Sequence, residues 1–186
     1  MTIGFALCGS FCTFAAVLPV MKTLAKSHTL IPILSGASST IDSRFGTADT
    51  HIEKITEICG RPPLCRIEEV EPIGPKKLLD ALVIAPCTGN TLAKLAHSIA
   101  DTSVTMAAKS HLRNGRPVLV AVSTNDALAG AAENIGRLLG RKHYYFVPFG
   151  QDDPYKKPTS LVADFEKLPE ALTLALEGKQ IQPLLI

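Results

Sequence analysis

The stretch ALVIAPCTGNTLAKLAHSIADT, residues 81–102, places an apolar run, a polar turn and a helical pattern in direct succession. Its first five residues are all apolar, as in a strand that is covered on both faces of a parallel sheet. Small and polar residues follow from Pro86 to Thr91, where helical spacing begins. A helix needs only one N-cap side chain. The surplus of hydroxyl and amide groups therefore suits a polar ligand, with a simply capped helix as the alternative.

Strands and helices alternate in the same way through the rest of the chain. The predicted strands are 2–7, 28–34, 64–67, 81–85, 117–122 and 144–147, with Pro32 making the second one irregular or incompletely paired. The predicted helices are 11–26, 48–59, 91–100, 104–113, 127–139 and 161–176, with a helical turn at 76–80 and loops at 35–40 and 151–160. This alternation is typical of an α/β fold. We expect a three-layer Rossmann-like (flavodoxin-like) open parallel sheet with helices on both faces, formed as one domain by residues 1–186.

Composition argues against several classes of function. The chain is 46% hydrophobic and 19% charged, which indicates a globular protein. A net charge of +2 and the absence of Trp argue against a nucleic-acid surface. The five cysteines lack framework or zinc-site spacing, so we expect reduced thiols and no metal. The uncharged residues 1–20 are interrupted by Gly and Pro, and we interpret them as a strand and a helix of a cytoplasmic protein.

Ligands of such sheets bind beyond the carboxyl ends of the strands. The first loop there, Cys8–Thr13, has Gly9 for close backbone approach and helix-opening N–H groups that attract a phosphate. It lacks the GxGxxG pattern, and a tight turn capped by Ser10 is the alternative. The second loop, Ser35–Thr40, contributes four hydroxyls as a second wall of the pocket, or is simply solvated.

The third loop is Pro86–Thr91, and the fourth is Ser123–Asp126. In the fourth, the Asn125 amide suits a flavin or a substrate carbonyl, with helix capping as the alternative. No histidine lies in these loops, so we interpret all five histidines as hydrogen-bonded surface or core residues. The polar segment 150–158 is predicted to be a solvated loop, with a lid or partner-facing segment as the alternative.

Residues 86–101, PCTGNTLAKLAHSIAD, resemble the flavin-binding segment of the homo-oligomeric flavin-containing Cys decarboxylase and flavin prenyltransferase-like family. The family pattern is P-x-S/T-x-N-T-x-A-K-x-A-x-G-x-A-D. Ser98 replaces the usual glycine. The matching positions are Pro86, Thr88, Asn90, Thr91, Ala93, Lys94, Ala96, Ala100 and Asp101.

The resemblance implies that the cofactor is FMN, in a site that a phosphate or sulfate can also occupy. Asn125 is the candidate catalytic residue, in a loop that reads VSTN where the decarboxylases have PAMN. The decarboxylases have a histidine where this chain has residues 71–74, EPIG, and the prenyltransferases have an arginine near Met106, so neither reaction is expected. The implied cofactor-binding residues are Gly9, Ser10, Phe11, Ser35, Pro86, Thr88, Gly89, Asn90, Thr91, Ser123 and Asn125.

Residues 71–96, 105–114, 123–128, 144–163 and 175–186 extend the resemblance, over essentially the whole chain, to a dipicolinate synthase branch of this family in spore-forming bacteria. It implies a protein that aids the oxidation of dihydrodipicolinate to dipicolinate in the mother-cell cytoplasm during sporulation. The implied partner is the nicotinamide-dependent A subunit of dipicolinate synthase, and the implied assembly is a homo-oligomer, trimer-based or dodecameric. The alternative is a non-catalytic partner of that nicotinamide-dependent protein, with a vestigial phosphate or flavin pocket.

Overall fold

A seven-stranded, mostly parallel sheet flanked by helices forms the centre of the computed structural model, which describes residues 1–186. The strands are β1 Thr2–Leu7, β2 Thr29–Leu34, β3 Ala81–Cys87, β4 Val118–Thr124, β5 Tyr144–Phe146, β6 Phe149–Gly150 and β7 Leu161–Ala163. The helices are α1 Phe14–Ala25, α2 Gly36–Thr40, α3 Ala48–Cys59, α4 Ile67–Val70, α5 Gly89–Ala96, α6 Ser103–Leu112, α7 Ala132–Leu139 and α8 Leu168–Leu176. The predicted three-layer, Rossmann-like α/β class is confirmed.

The strand order is β2-β1-β3-β4-β7-β6, with β5 also paired to β4. Strands β1 to β5 are parallel, and β6 and β7 pair in the antiparallel sense. β4 divides its outer edge between two partners. Val118–Val120 pair with β5, whereas Ser123 and Thr124 pair with β7. The carboxyl end of β4 therefore meets a segment that arrives from the opposite direction.

The core lies on both faces of the central strands. All seven residues of β3 are buried, as its unbroken apolar run predicts. Each large aliphatic side chain buried there contributes about 1.5–3 kcal/mol. Helices α1, α3 and α8 pack together on one face, and α5, α6 and α7 pack on the other. No helix of the chain has both the length and the apolar character needed to cross a membrane.

Buried hydroxyls join helices to the carboxyl ends of the strands. Ser38 in α2 donates through Oγ to the carbonyl of Leu7 at 2.7 Å. Ser103 in α6 donates to the carbonyl of Leu34. These carbonyls end β1 and β2, and the Leu7 carbonyl also accepts from the N–H of Ser35 at 3.0 Å. The helices are thereby held at the edge of the sheet where the loops meet.

Several predicted elements differ in the structure. The predicted strand at 64–67 is wrong, because Leu64 forms only one bridge, to Ile33. The predicted loop at 35–40 contains the short helix α2, which is capped by Ser35. The predicted helical turn at 76–80 is absent, and Lys77 there has a φ of 50°. Pro32 is paired in register with Phe5, on an edge strand where a missing N–H is tolerated.

Two predicted helices start later than expected. α7 begins at Ala132 instead of residue 127, because the chain first turns at Asp126, whose carbonyl accepts from the N–H of Ala129. α8 begins at Leu168 instead of residue 161, because Leu161–Ala163 form β7. Pairing with β4 and β6 overrides the helical spacing of that segment.

Two histidines are buried in this fold. His111 contacts the carbonyl of Pro117 through Nε2 at 3.1 Å, and its Nδ1 has no hydrogen-bond partner. His51 packs edge-on against Phe14 with ring centroids 4.8 Å apart, and neither of its ring nitrogens has a partner. The prediction that every histidine is hydrogen-bonded is therefore wrong for His51. Burial lowers the pKa of His51, and it lowers the pKa of His111 to about 4.

The His111 pKa predicts acid sensitivity in a defined window. The unfolded chain binds a proton near pH 6.5, whereas folded His111 does so near its pKa of about 4. Stability is therefore lost as the pH falls through this interval, by about 2 kcal/mol from His111 between pH 7 and pH 5. Urea unfolding of His111→Gln at both pH values should show a smaller pH-dependent loss than the wild type. The exposed control His97→Gln should match the wild type, and an equal loss in all three proteins would contradict the prediction.

Candidate functional site

A cleft of about 560 Å³ lies where the carboxyl ends of β1, β3 and β4 meet. This volume is within the range of about 300–1,000 Å³ that small-molecule sites occupy. The cleft is lined by Gly9, Ser10, Phe11, Cys12, Thr13, Ser43, Phe45, Thr88, Ser123, Thr124, Asn125, Asp152, Lys157, Ser160 and Val162. Parallel strand pairing has thus brought together loops that are far apart in the sequence.

The loop after β1 presents free backbone donors to the cleft. The N–H groups of Gly9, Phe11 and Cys12 make no hydrogen bond within the chain. They precede helix α1, whose N-terminus carries a partial positive charge. A side chain at Gly9 would come within 3.0 Å of the Cβ of Ala37, so this loop packs closely on α2. Such an arrangement of free N–H groups at a helix start suits an anion.

The first and fourth predicted loops are in direct contact. Ser10 Oγ lies 2.7 Å from Ser123 Oγ, across 113 positions of sequence. Ser123 is buried, and Asn125, two residues further on, is exposed. Thr124 Oγ1 donates to the Asp126 carboxylate at 2.5 Å. The result is a continuous wall of neutral hydroxyl and amide groups along one side of the cleft.

The third predicted loop caps its own helix and closes the base of the cleft. Thr88 Oγ1 accepts from the N–H of Thr91 at 3.4 Å, which makes Thr88 the N-cap of α5. Buried Thr91 donates to Cys8 Sγ at 3.3 Å. Hydrogen bonding from the Cys87 thiol lowers the pKa of Cys8, and burial raises the pKa of Cys87 well above its usual value. Both cysteines are buried, so we interpret them as packing groups.

The polar segment 151–160 forms the remaining wall. It connects β6 to β7, and Thr159 Oγ1 donates to the carbonyl of Asn125 at 2.7 Å. Lys157 Nζ is 2.8 Å from Asp152 Oδ2. The carboxylate raises the pKa of Lys157, and the ammonium group lowers the pKa of Asp152, so both are ionised at neutral pH. Asp152, Lys157 and Ser160 line the cleft, whereas most other residues of the segment are exposed to solvent.

Part of the sequence-predicted set lines this cleft. Six of those residues are in its wall, namely Gly9, Ser10, Phe11, Thr88, Ser123 and Asn125. Ser35, Pro86, Gly89, Asn90 and Thr91 lie outside it. Ser35 is engaged in capping α2, where its Oγ accepts from the N–H of Ser38 at 3.2 Å. Asn90 is exposed on the first turn of α5.

Sequence reasoning missed other cleft residues. Ser43 and Phe45 come from the connection between α2 and α3, which shows no motif. Asp152, Lys157 and Ser160 come from the segment between β6 and β7. The signal was present in the unusual polarity of that long connection, but it gave no sign of the antiparallel pairing that turns the segment toward β4.

Comparison with known proteins identifies relatives over the whole chain. The model of the flavoprotein family, described as "Flavoprotein", matches residues 1–149. The B subunit of dipicolinate synthase from Bacillus subtilis (strain 168) is 43% identical over 185 residues, which cover 99% of this chain and 92% of that protein.

Solved structures show the same architecture. The crystal structure of the dipicolinate synthase B subunit from Bacillus halodurans has a TM-score of 0.91 and 47% identity, covering 100% of this chain and 95% of that one. Burkholderia xenovorans DmrB in complex with FMN, described as a cubic protein cage for redox transfer, has a TM-score of 0.71 and 18% identity, covering 95% of each chain. The second likeness establishes a shared fold.

The Thr159 hydrogen bond predicts how firmly the 151–160 segment is held. Thr159→Val keeps the side-chain shape but removes the bond to the Asn125 carbonyl. We expect a loss of about 1 kcal/mol in local stability, or about fivefold faster trypsin cleavage after Lys156 under native conditions. Mass spectrometry of timed digests measures this rate. Thr173→Val, which removes a bond within α8 to Pro169, should leave it unchanged. Equal rates in the two variants would contradict the prediction.

Proposed function

Because the chain belongs to the flavoprotein family, we propose that its cleft binds flavin mononucleotide and that the protein is the flavin-binding component of a dipicolinate synthase. The observation that carries the proposal is the 43% identity to the B. subtilis protein across 99% of this chain. In this role the protein aids the oxidation of dihydrodipicolinate to dipicolinate during sporulation. The residue chemistry of the cleft supports the proposal in three respects.

The first supporting feature is the group of backbone donors after β1, which suits a phosphate. The free N–H groups of Gly9, Phe11 and Cys12 are donors that a phosphate can use. Ser10 Oγ adds a hydroxyl donor beside them. Ser35 caps α2, whose Ala37 side chain packs closely on Gly9, and we propose that Ser35 supports the phosphate side through this helix.

The second supporting feature is the set of neutral side chains, which suits the ribityl chain and the ring of a flavin. Thr88, Ser123 and Asn125 offer neutral donors and acceptors, which suit ribityl hydroxyls and the edge of a heterocycle. Phe11 and Phe45 add apolar surface to the same cleft. We propose Asn125 as the group that contacts the reacting ring. Pro86, Gly89, Asn90 and Thr91 shape the turn that holds Thr88 in place.

The third supporting feature is that the cleft residues suit oxidation by a flavin better than decarboxylation. Bound flavin supplies a two-electron acceptor, which is what aromatisation of a dihydropyridine requires. The cleft contains no histidine, and segment 71–74 contributes nothing to its lining. Its groups bind and orient a ligand, and they support oxidation by a cofactor better than decarboxylation assisted by a histidine.

The absence of histidine from the cleft also favours a second candidate function. In that case the protein is a non-catalytic partner, which stabilises the nicotinamide-dependent A subunit of dipicolinate synthase or delivers substrate to it. We propose a homo-oligomer under both functions. DmrB, which shares this fold, is described as a cage. The two candidates differ in whether the cleft contributes to turnover.

Flavin binding is tested by introducing a negative charge beside the N–H groups that are proposed to bind the phosphate. FMN titrated into the wild type should quench flavin fluorescence in a saturable way. Ser10→Asp should reduce the affinity by about 100-fold or more, because a carboxylate then occupies the anion site. Ser27→Asp adds the same charge in the turn after α1, outside the cleft, and should bind FMN as the wild type does. A wild type that folds but shows no saturable quenching would exclude the proposal.

Turnover separates the two candidate functions. Formation of dipicolinate is followed for the nicotinamide-dependent partner by itself, for its mixture with the wild type, and for its mixture with Asn125→Ala, each with and without FMN. A catalytic cleft predicts that FMN stimulates the wild-type mixture and that Asn125→Ala lowers this stimulated rate by about tenfold or more. A rate that depends on neither FMN nor Asn125 would support the non-catalytic partner instead.

A further inference from the structure

The charge inside the cleft comes from two side chains alone. Of the residues that line it, only Asp152 and Lys157 are ionisable acids or bases of fixed charge at neutral pH. All the other polar lining groups are neutral hydroxyls, amides or thiols. Lys157 is therefore the one residue with a positive charge among those that line the cleft.

The Lys157–Asp152 pair is exposed enough to exchange partners. The two side chains retain 52% and 28% of their accessible surface. An ion pair in such surroundings contributes less than about 1 kcal/mol. A ligand carboxylate that accepts from Lys157 therefore replaces an interaction of similar strength, while the freed Asp152 remains open to water.

The ion pair is not needed to hold its own loop. The N–H of Lys157 donates to the carbonyl of Asp153 at 2.8 Å, and the N–H of Ser160 donates to that of Lys157 at 3.0 Å. Gln151 Nε2 donates to the carbonyl of Pro158 at 2.8 Å. Because backbone bonds already fix the turn, the charges of the pair are free to serve a ligand.

A buried donor stands beside this pair without a partner of its own. Ser160 is 1% exposed and lines the cleft, and its hydroxyl makes no hydrogen bond of normal geometry. It lies close enough to Asp152 to help lower the pKa of that carboxyl, but a well-formed bond is absent. Buried hydroxyls are nearly always hydrogen-bonded, so the Ser160 hydroxyl beside Asp152 is a donor that a ligand oxygen in the cleft can use.

We propose that Lys157 and Ser160 form a carboxylate-recognition site in the cleft, with Asp152 as the internal carboxylate that the ligand displaces from Lys157. The ligand class is a small planar carboxylate, and a dicarboxylate fits the function proposed above, on which this inference rests. Lys157 supplies a charge-assisted hydrogen bond, and Ser160 supplies a second, neutral one. Together they select an acid over its neutral amide.

The experiment uses the FMN-loaded protein and isothermal titration calorimetry. Pyridine-2,6-dicarboxylate is compared with the uncharged pyridine-2,6-dicarboxamide. We expect the wild type to bind the dicarboxylate at least about tenfold more tightly, and Lys157→Gln to lose at least about tenfold of that affinity with little change for the diamide. Ser160→Ala should weaken the dicarboxylate by a smaller factor, and Lys157→Arg should stay within about threefold of the wild type.

Two further variants control the result. Lys156→Gln removes the same charge from the neighbouring residue, which does not line the cleft, and should leave both affinities unchanged. Asp152→Asn removes the internal competitor and should strengthen dicarboxylate binding. If Lys157→Gln binds FMN normally and matches Lys156→Gln for the dicarboxylate, the inference is overturned while the proposed function stands. If the wild type takes up no FMN, the proposed function fails first.

Discussion

The parallel pairing of β1, β3 and β4 decides where every loop of the cleft lies. In register, Phe5 lies beside Val83, which in turn lies beside Leu119. All three strands therefore end at one edge of the sheet, and the polar residues that follow them meet there. Every residue of β3 is buried, so its side chains pack closely against the layers on both faces and hold the strand in place. The hydroxyl contact between Ser10 and Ser123 is a direct consequence.

The second determinant is the way β4 changes partner along its length. β5 pairs with its first half in the parallel sense, and β7 pairs with its end in the antiparallel sense. β6 runs in the same direction as β4, because both strands pair with β7 in the antiparallel sense. Residues 151–160 therefore leave β6 at the carboxyl edge, where Thr159 attaches them to the loop after β4, and β7 then carries the chain away from that edge. The cleft thus has walls from the loops after parallel strands and one wall from the connection between β6 and β7.

The sequence predicted the long strands and helices and part of the cleft lining. It did not predict the short strands β6 and β7 or the cleft residues that they position. Apolar runs and helical spacing located β1, β3, β4 and α3, because each is long and has an uninterrupted pattern. The free donors near Gly9 and the hydroxyls at Ser123 were predicted from loop composition. β6 and β7 were missed because two- and three-residue strands carry no period of their own. Without β6 and β7, the sequence could not place Lys157 and Ser160 in the cleft. Ser35 and Asn90 were predicted to line the cleft from their loop positions, but both lie outside it.

The location of the charged groups bears on which reaction the fold can support. In the decarboxylases that this chain resembles, the implied histidine precedes the strand that corresponds to β3. Here that segment is packed against α6, since Ser110 Oγ donates to the carbonyl of Glu71 and Asn114 Nδ2 donates to that of Gly74. It contributes no side chain to the cleft. The charged lining residues, Asp152 and Lys157, lie instead on the connection between β6 and β7. A site with neutral walls and one ammonium group can bind and orient an anion, whereas removal of electrons must come from a bound cofactor. On this scaffold the connection between β6 and β7 is therefore the part of the cleft whose side chains can interact with a charged ligand.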